Sequence, residues 1–184
     1  MLLAAAAIAY LGAFTAKYRK QAVDSWLYQM HVSSLQTLEN YSLERVLGEP
    51  VHIRRWQMHG LPKDSFSVEN GLMMNNGHKW PLMIDPQGQA NRWIKSMEMQ
   101  DGQAQGSRLM ILKPADADTF AQRFEQALRM GLAVLLESVG NELDPILDPV
   151  LLKQVFKVGG VRQIKFADSS IDYADEFRLY LTTR

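Results

Sequence analysis

Apolar positions follow two regimes along the chain. Up to Val46 they keep helical spacing: MLLAAAAIAYLGAF is nearly continuous, and Phe14, Tyr18, Ala22, Trp26 and Met30 then recur one turn apart, with Lys17, Lys20, Gln21 and Asp24 between them. This spacing predicts a buried helix and then a long amphipathic one from Thr15 to Val46, broken at most once. Gly48-Glu49-Pro50 should end it, because proline cannot continue a helix and restricts the residue before it. The stretch from Val51 to Asp64, with Trp56 and a Gly60-Leu61-Pro62 breaker, reads as irregular. Ser67 reads as the N-cap of a short helix that stops at Asn75-Asn76-Gly77.

From Trp80 onward, short apolar runs alternate with helical patterns. Strands are predicted at Pro81 to Ile84, Arg108 to Leu112 and Ala133 to Leu136. Helices are predicted from Gln87 to Met97, Asp116 to Met130 and Pro145 to Val158. An extended pair at Val161 to Phe166 and Ser170 to Tyr173 precedes a last strand from Phe177 to Leu181. Continuous apolar strands separated by helices predict an α/β fold with a doubly wound, mostly parallel sheet behind a helical N-terminal portion. The expected organisation is one domain: helices over 1–50, an irregular segment and short helix over 51–79, and the α/β core over 80–184. Gln100 to Gly106 reads as an exposed loop. The closing strand has no helix behind it, which suggests a piece of something longer.

Composition narrows the function. At 47% apolar residues the chain is globular, and 20 basic against 20 acidic residues leave no net field for a nucleic acid or an anionic membrane. The absence of Cys excludes disulfides, thiolate metal sites and cysteine nucleophiles, and the 4 His residues fall at no ligand spacing, so no metal site is expected. The opening apolar run is too short to cross a bilayer, and its basic residues follow it instead of preceding it as in a signal peptide. A cytosolic protein is expected.

In such a sheet a ligand belongs at the carboxyl end of the first strand, where a glycine-rich turn and a helix N-terminus would cradle phosphates. The turn here is Asp85-Pro86-Gln87-Gly88-Gln89-Ala90-Asn91, which has one glycine, no lysine and no hydroxyl for magnesium. Asp85 puts negative charge where a phosphate would sit, and Pro86 removes a donor. Glu137, after Val134-Leu135-Leu136, stands at the position of a magnesium-binding acid, but Ser138 follows where a second carboxylate would polarise water. Glu137 also reads as a strand-end carboxylate bonded to a neighbouring helix or loop. Asp144 before Pro145 reads as an N-cap with proline at the first helical position. Ser169-Ser170 beside Asp168 and Asp172 lacks a histidine to complete a nucleophilic triad. Trp56, Trp80 and Trp93 read as packing, as do Met73, Met74, Met97 and Met99.

Several ordered blocks resemble one family. Lys79-Trp80-Pro81-Leu82-Met83-Ile84-Asp85-Pro86-Gln87-Gly88-Gln89-Ala90-Asn91-Arg92-Trp93-Ile94-Lys95 is similar to the first strand and degenerate P-loop of the fifth AAA+ module in dynein heavy chains. So is the preceding block from Gly60 to Gly71. LLAAAAIAYLGAFTAKYR resembles the helix after the returning strand of the microtubule-binding stalk, and Val134 to Lys153 and Phe177 to Arg184 fit the same module in order. The wording of the Trp80 to Lys95 block is closer to axonemal than to cytoplasmic dyneins. The resemblance implies an AAA+ large subdomain with a three-layer sandwich, whose final strand, helical lid and buttress would follow Arg184. It also implies a ring member that relays force and does not itself bind or hydrolyse ATP, while other modules of the parent motor use ATP and magnesium. Implied partners are the neighbouring modules, the linker, the stalk-supporting buttress and, through the parent complex, the microtubule and the intermediate and light chains. The implied location is the cytoskeleton of the cytoplasm, specifically a cilium or flagellum axoneme. Two competing readings remain: a divergent module that keeps nucleotide affinity and slow hydrolysis, and a free-standing interaction domain.

Overall fold

The computed structural model describes residues 1–37, 40–101, 108–114 and 117–183. The chain divides into a helical unit, Met1–His78, and an α/β unit, Lys79–Arg184.

The helical unit holds α1 (Leu2–Tyr10), α2 (Ala16–Val32), α3 (Leu43–Leu47), α4 (Pro50–Met58) and α5 (Ser65–Asn76). α1 and α5 answer to the expected first and short helices, α2 and α3 divide the span expected as one long helix broken at most once, and α4 is additional. α1 is buried along one stripe only, through Leu3, Ala4 and Ala7, while Leu2 and Tyr10 are exposed. The amphipathic stripe of α2 is shallower than its spacing predicts: Tyr18 is exposed, Trp26 is half-buried, and the one fully buried residue of the helix is Arg19. The region expected to be irregular contains α4. α3 does end before Gly48-Glu49-Pro50, at Leu47, but Pro50 also opens a new helix: it occupies the first turn of α4, where its missing N–H is no loss, and Ile53 and Trp56 are buried from that helix. The N-cap of α5 is Asp64, three residues before the expected Ser67, whose amide and hydroxyl both donate to the Asp64 carboxylate. Those two hydrogen bonds, the side-chain one foremost, hold the Asp64 carboxyl below the usual carboxylate range. Gly71 lets α5 lie against Trp56: a Cβ there would come 3.2 Å from the indole.

In the α/β unit, β1 (Leu82–Ile84), β2 (Leu109–Leu112), β3 (Ala133–Leu136) and β7 (Arg178–Thr183) form one parallel sheet in the order β1-β7-β3-β2. Parallel register runs through all three pairings, so the carboxyl ends of the strands share one edge. Every residue of β3 is buried, as a central parallel strand requires, whereas Leu82 and Ile84 of the edge strand β1 are exposed. Helices α6 (Gln89–Asp101) and α7 (Ala117–Met130) follow β1 and β2. Asp116 and Gly102 to Gly106, the greater part of the expected loop, lie outside the described residues, and Gln100 and Asp101 belong to α6.

The helix predicted from Pro145 to Val158 is the clearest local correction. A 3-10 turn at Pro145–Leu147 and a single turn of α8 (Asp148–Leu151) give way to β4 (Val155–Val158). β4 pairs antiparallel with β5 (Val161–Phe166), which pairs with β6 (Ser169–Asp172). Val155, Phe156 and Val158 are β-formers, and Gly159 and Gly160, both at positive φ, supply the two-residue turn back into β5. Asp144 does cap the turn at Pro145, accepting the Ile146 amide. Aromatic packing joins this small sheet to the larger one: Phe124 of α7 stacks on Phe166 of β5 at 5.3 Å and touches Phe177 ahead of β7.

Candidate functional site

The carboxyl ends of β1, β3 and β7 open onto a cavity of about 470 Å³, lined by Asp85, Pro86, Gln87, Gly88, Asn91, Lys95, Glu137, Ser138, Thr182 and Thr183. The fold thus brings Glu137 beside the turn after β1, although the two are far apart in sequence. Gln89 and Ala90, the remaining residues of the expected turn, form the first positions of α6 instead.

Asp85 decides the character of this cavity. It is 6% exposed, and its Oδ2 accepts the backbone N–H of Asn91 in the first turn of α6 at 2.9 Å. A helix N-terminus carries unpaired amides and the positive end of the dipole, and here the chain's own carboxylate takes that place. The Asp85 amide donates to the Thr183 carbonyl of β7 at 2.7 Å, and the Gly88 amide donates back to the Asp85 carbonyl at 3.3 Å, which closes the turn. Gly88 has φ 69°, a left-handed conformation that glycine adopts without strain. Pro86 and Gln87 are exposed, and the Gln87 carbonyl accepts from Arg92.

Much of the rest of the site is tied internally as well, although Asn91 Oδ1 is buried without a hydrogen-bond partner among the described residues. Asn91 Nδ2 donates to the hydroxyl of Thr182, which is 1% exposed, and the Thr183 hydroxyl donates to the Val139 carbonyl. Lys95 Nζ forms an ion pair with Glu137 Oε1 at 2.5 Å, joining α6 to the end of β3. Ser138 follows with φ 57°, a conformation a non-glycine residue adopts only when its surroundings enforce it. One face of α6 is held further along, where Tyr180 of β7 donates to Glu98 Oε1 at 2.6 Å; burial first, then the Glu98 charge, pushes the tyrosine hydroxyl well above its ordinary pKa.

Chemically, the first strand's turn presents a carboxylate where a phosphate cradle presents free amides, and the lysine of the cavity is already engaged by Glu137. Among the described residues no group of three or more His, Asp or Glu side chains could hold a metal ion, and no helix is long and apolar enough to cross a membrane. Lys95, Thr182 and Thr183 were absent from the sequence-based site. The signal available for Lys95 is its place one turn after Asn91 on the helix that leaves the turn; the threonines are marked only as the polar end of an apolar strand.

A parallel sheet with helices after β1 and β2 and a cavity at the carboxyl ends of its strands defines an α/β domain, and the family match places it in the AAA+ class. Residues 54–184 match the family described as the ATP-binding dynein motor region, and the chain belongs to that family. Its whole length aligns with curated relatives: it is 45% identical to mouse dynein axonemal heavy chain 3 and 45% identical to human dynein axonemal heavy chain 6. It is 43% identical to the Chlamydomonas reinhardtii dynein-1-beta heavy chain of the flagellar inner arm I1 complex. The chain spans 4% of the length of each of these relatives.

Proposed function

We propose that this chain is the fifth AAA+ module, large subdomain, in the motor ring of an axonemal dynein heavy chain, and that it relays force without holding or hydrolysing ATP. The observation that carries the inert reading is the buried Asp85 carboxylate on the N-terminal amide of α6. A triphosphate entering there would meet a fixed negative charge, with desolvation and like-charge repulsion both opposed to binding. The Lys95–Glu137 pair adds to this, because the one lysine lining the cavity is neutralised and the acid at the magnesium position already has a cationic partner.

ATP and magnesium would act at other modules of the motor. The sheet and its helices, cross-tied at α6, β3 and β7, would move as a unit between neighbouring modules, the linker and the stalk-supporting buttress. Microtubules and the intermediate and light chains would be partners of the whole motor, placed in the axoneme of a cilium or flagellum as the names of the relatives suggest.

A second reading, a divergent module with residual nucleotide affinity, is favoured by the cavity of about 470 Å³ and by the family's ATP-binding description. Titration calorimetry with Mg-ATP and Mg-ADP separates the two. No heat of binding into the millimolar range is expected, and micromolar affinity would reject the inert reading. In the full motor, Glu137→Gln should leave microtubule-stimulated ATPase within about twofold of the parent, since ion-pair loss at a half-exposed lysine costs about 1 kcal/mol or less in local stability. A collapse of turnover in a folded motor would place Glu137 in catalysis.

A further inference from the structure

The helical unit has a cavity of its own, about 340 Å³, between α1, α2, α3 and α5. Arg19 lies in its wall, 4% exposed, with the Phe66 ring 4.4 Å from its guanidinium carbon. Its Nε donates to the carbonyls of Leu11 and Phe14 and its Nη2 to that of Gly12, each at 2.9 Å. Its Nη1 is buried without a hydrogen-bond partner among the described residues, and Glu69 Oε2 stands 4.0 Å away, beyond hydrogen-bonding reach. The Tyr41 hydroxyl, also in the wall, is likewise buried with no partner among the described residues. Burial and the Glu69 charge both push the Tyr41 pKa up, which keeps its proton in place as a donor.

Two orphaned donors and one half-buried carboxylate therefore share a single cavity. Unmade hydrogen bonds of buried donors are expensive, so the arrangement favours an occupant that completes them. Charge narrows its chemistry: Arg19 and Lys20 in the lining are balanced by Asp24 and Glu69, which leaves no net field to favour an anion or a cation. The remaining lining is largely apolar, through Leu11, Val23, Leu27 and Met73.

We propose that this cavity is a binding site for a small neutral carboxamide with an apolar body, its carbonyl accepting from Arg19 Nη1 and Tyr41 and its N–H donating to Glu69. An amide carries its acceptor and its donor on separate atoms, so the carbonyl can face the two donors while the N–H faces the carboxylate. The site is separate from the strand-end cavity and independent of the reading given to it.

Benzamide is the probe, titrated into the 184-residue chain while methyl resonances of Leu11, Leu27 and Met73 are followed by NMR. Saturable shifts confined to these methyls are expected, with a dissociation constant on the order of a millimolar for so small a ligand. Acetophenone, which keeps the acceptor and loses the donor, should bind about three- to tenfold more weakly, and benzoate more weakly than benzamide. Tyr41→Phe should weaken benzamide by a similar factor. Absence of saturation, as when a single water satisfies all three groups, would overturn the proposal, as would equal binding of benzamide and acetophenone. If Tyr41→Phe fails to fold, the comparison of the three ligands on the parent chain decides alone.

Discussion

Among the described residues each unit buries one charged side chain against a helix end, and the two do so with opposite sign. In the helical unit Arg19 is a cation wrapped by carbonyls of Leu11, Gly12 and Phe14, just past the C-terminus of α1. In the α/β unit Asp85 is an anion against the N-terminal amides of α6. Both follow the helix dipole, and both spend a charge on the chain's own backbone. The difference lies in what is left over. Around Asp85, Thr183, Asn91 and Thr182 are joined by hydrogen bonds that leave one buried acceptor, Asn91 Oδ1, without a partner among the described residues, whereas Arg19 leaves one nitrogen and the nearby Tyr41 hydroxyl, both donors, without a bond. In the strand-end cavity, where a ligand would be sought first, the chain's own carboxylate occupies the helix N-terminus and the orphaned atom is an acceptor, while the less conspicuous cavity of the helical unit has donors to spare.

The largest effect should come from Arg19→Met. It removes three charge-assisted hydrogen bonds and leaves the half-buried Glu69 without its cation, so about 3 kcal/mol or more should be lost in urea denaturation. A cost under about 1 kcal/mol would mean that water replaces the guanidinium freely and that the two buried charges are not comparable. Asp85→Ala should cost less, about 1 to 2 kcal/mol, as loss of a helix-capping acceptor does. Asp85→Asn, which retains an oxygen for the Asn91 amide, should cost only a few tenths of a kcal/mol by the same measure. Equal costs for the two variants would show that the charge, and not the hydrogen bond, holds the turn.

A further effect concerns pH. Because Asp64 has a lowered pKa in the folded state, its contribution is present above the ordinary carboxylate value and is lost as pH falls through the folded one. Glu69 behaves oppositely: burial raises its pKa, so folding is favoured below the ordinary value and this advantage disappears as pH rises through the folded one. Asp64→Ala should therefore cost about 1 kcal/mol at neutral pH, with the gap from the parent narrowing below the usual carboxylate range. A gap that stays constant down to pH 2 in acid titration of the melting temperature would show that the Asp64 carboxylate charge is not what caps α5.

Elements with long or uniform patterns were legible, and short ones with conflicting local signals were not. β3 is apolar throughout and emerges as a fully buried central strand; α7 keeps its helical spacing to Met130. The stretch after Pro50 reads as irregular although it is α4, because proline ends one helix and begins another by the same missing N–H, and only the burial of Ile53 and Trp56 reveals the second. Val155 to Val158 misled because an apolar run after a helical turn satisfies either period, and pairing with β5 decided it. Within the site, the turn from Asp85 to Asn91 and the acid at Glu137 could be named from sequence, but not the partners that close them.

By itself the sequence determined the class of fold, through buried strands alternating with helices, and the poverty of the phosphate turn, through the residue types it lacks. Those are properties of local composition and period. Tertiary structure alone decided that Asp85 turns inward to cap α6, that Lys95 meets Glu137, and that Arg19 and Tyr41 share a cavity with unmatched donors. Each of these depends on where residues distant in the chain are brought within a hydrogen bond of one another, and no linear spacing encodes that distance.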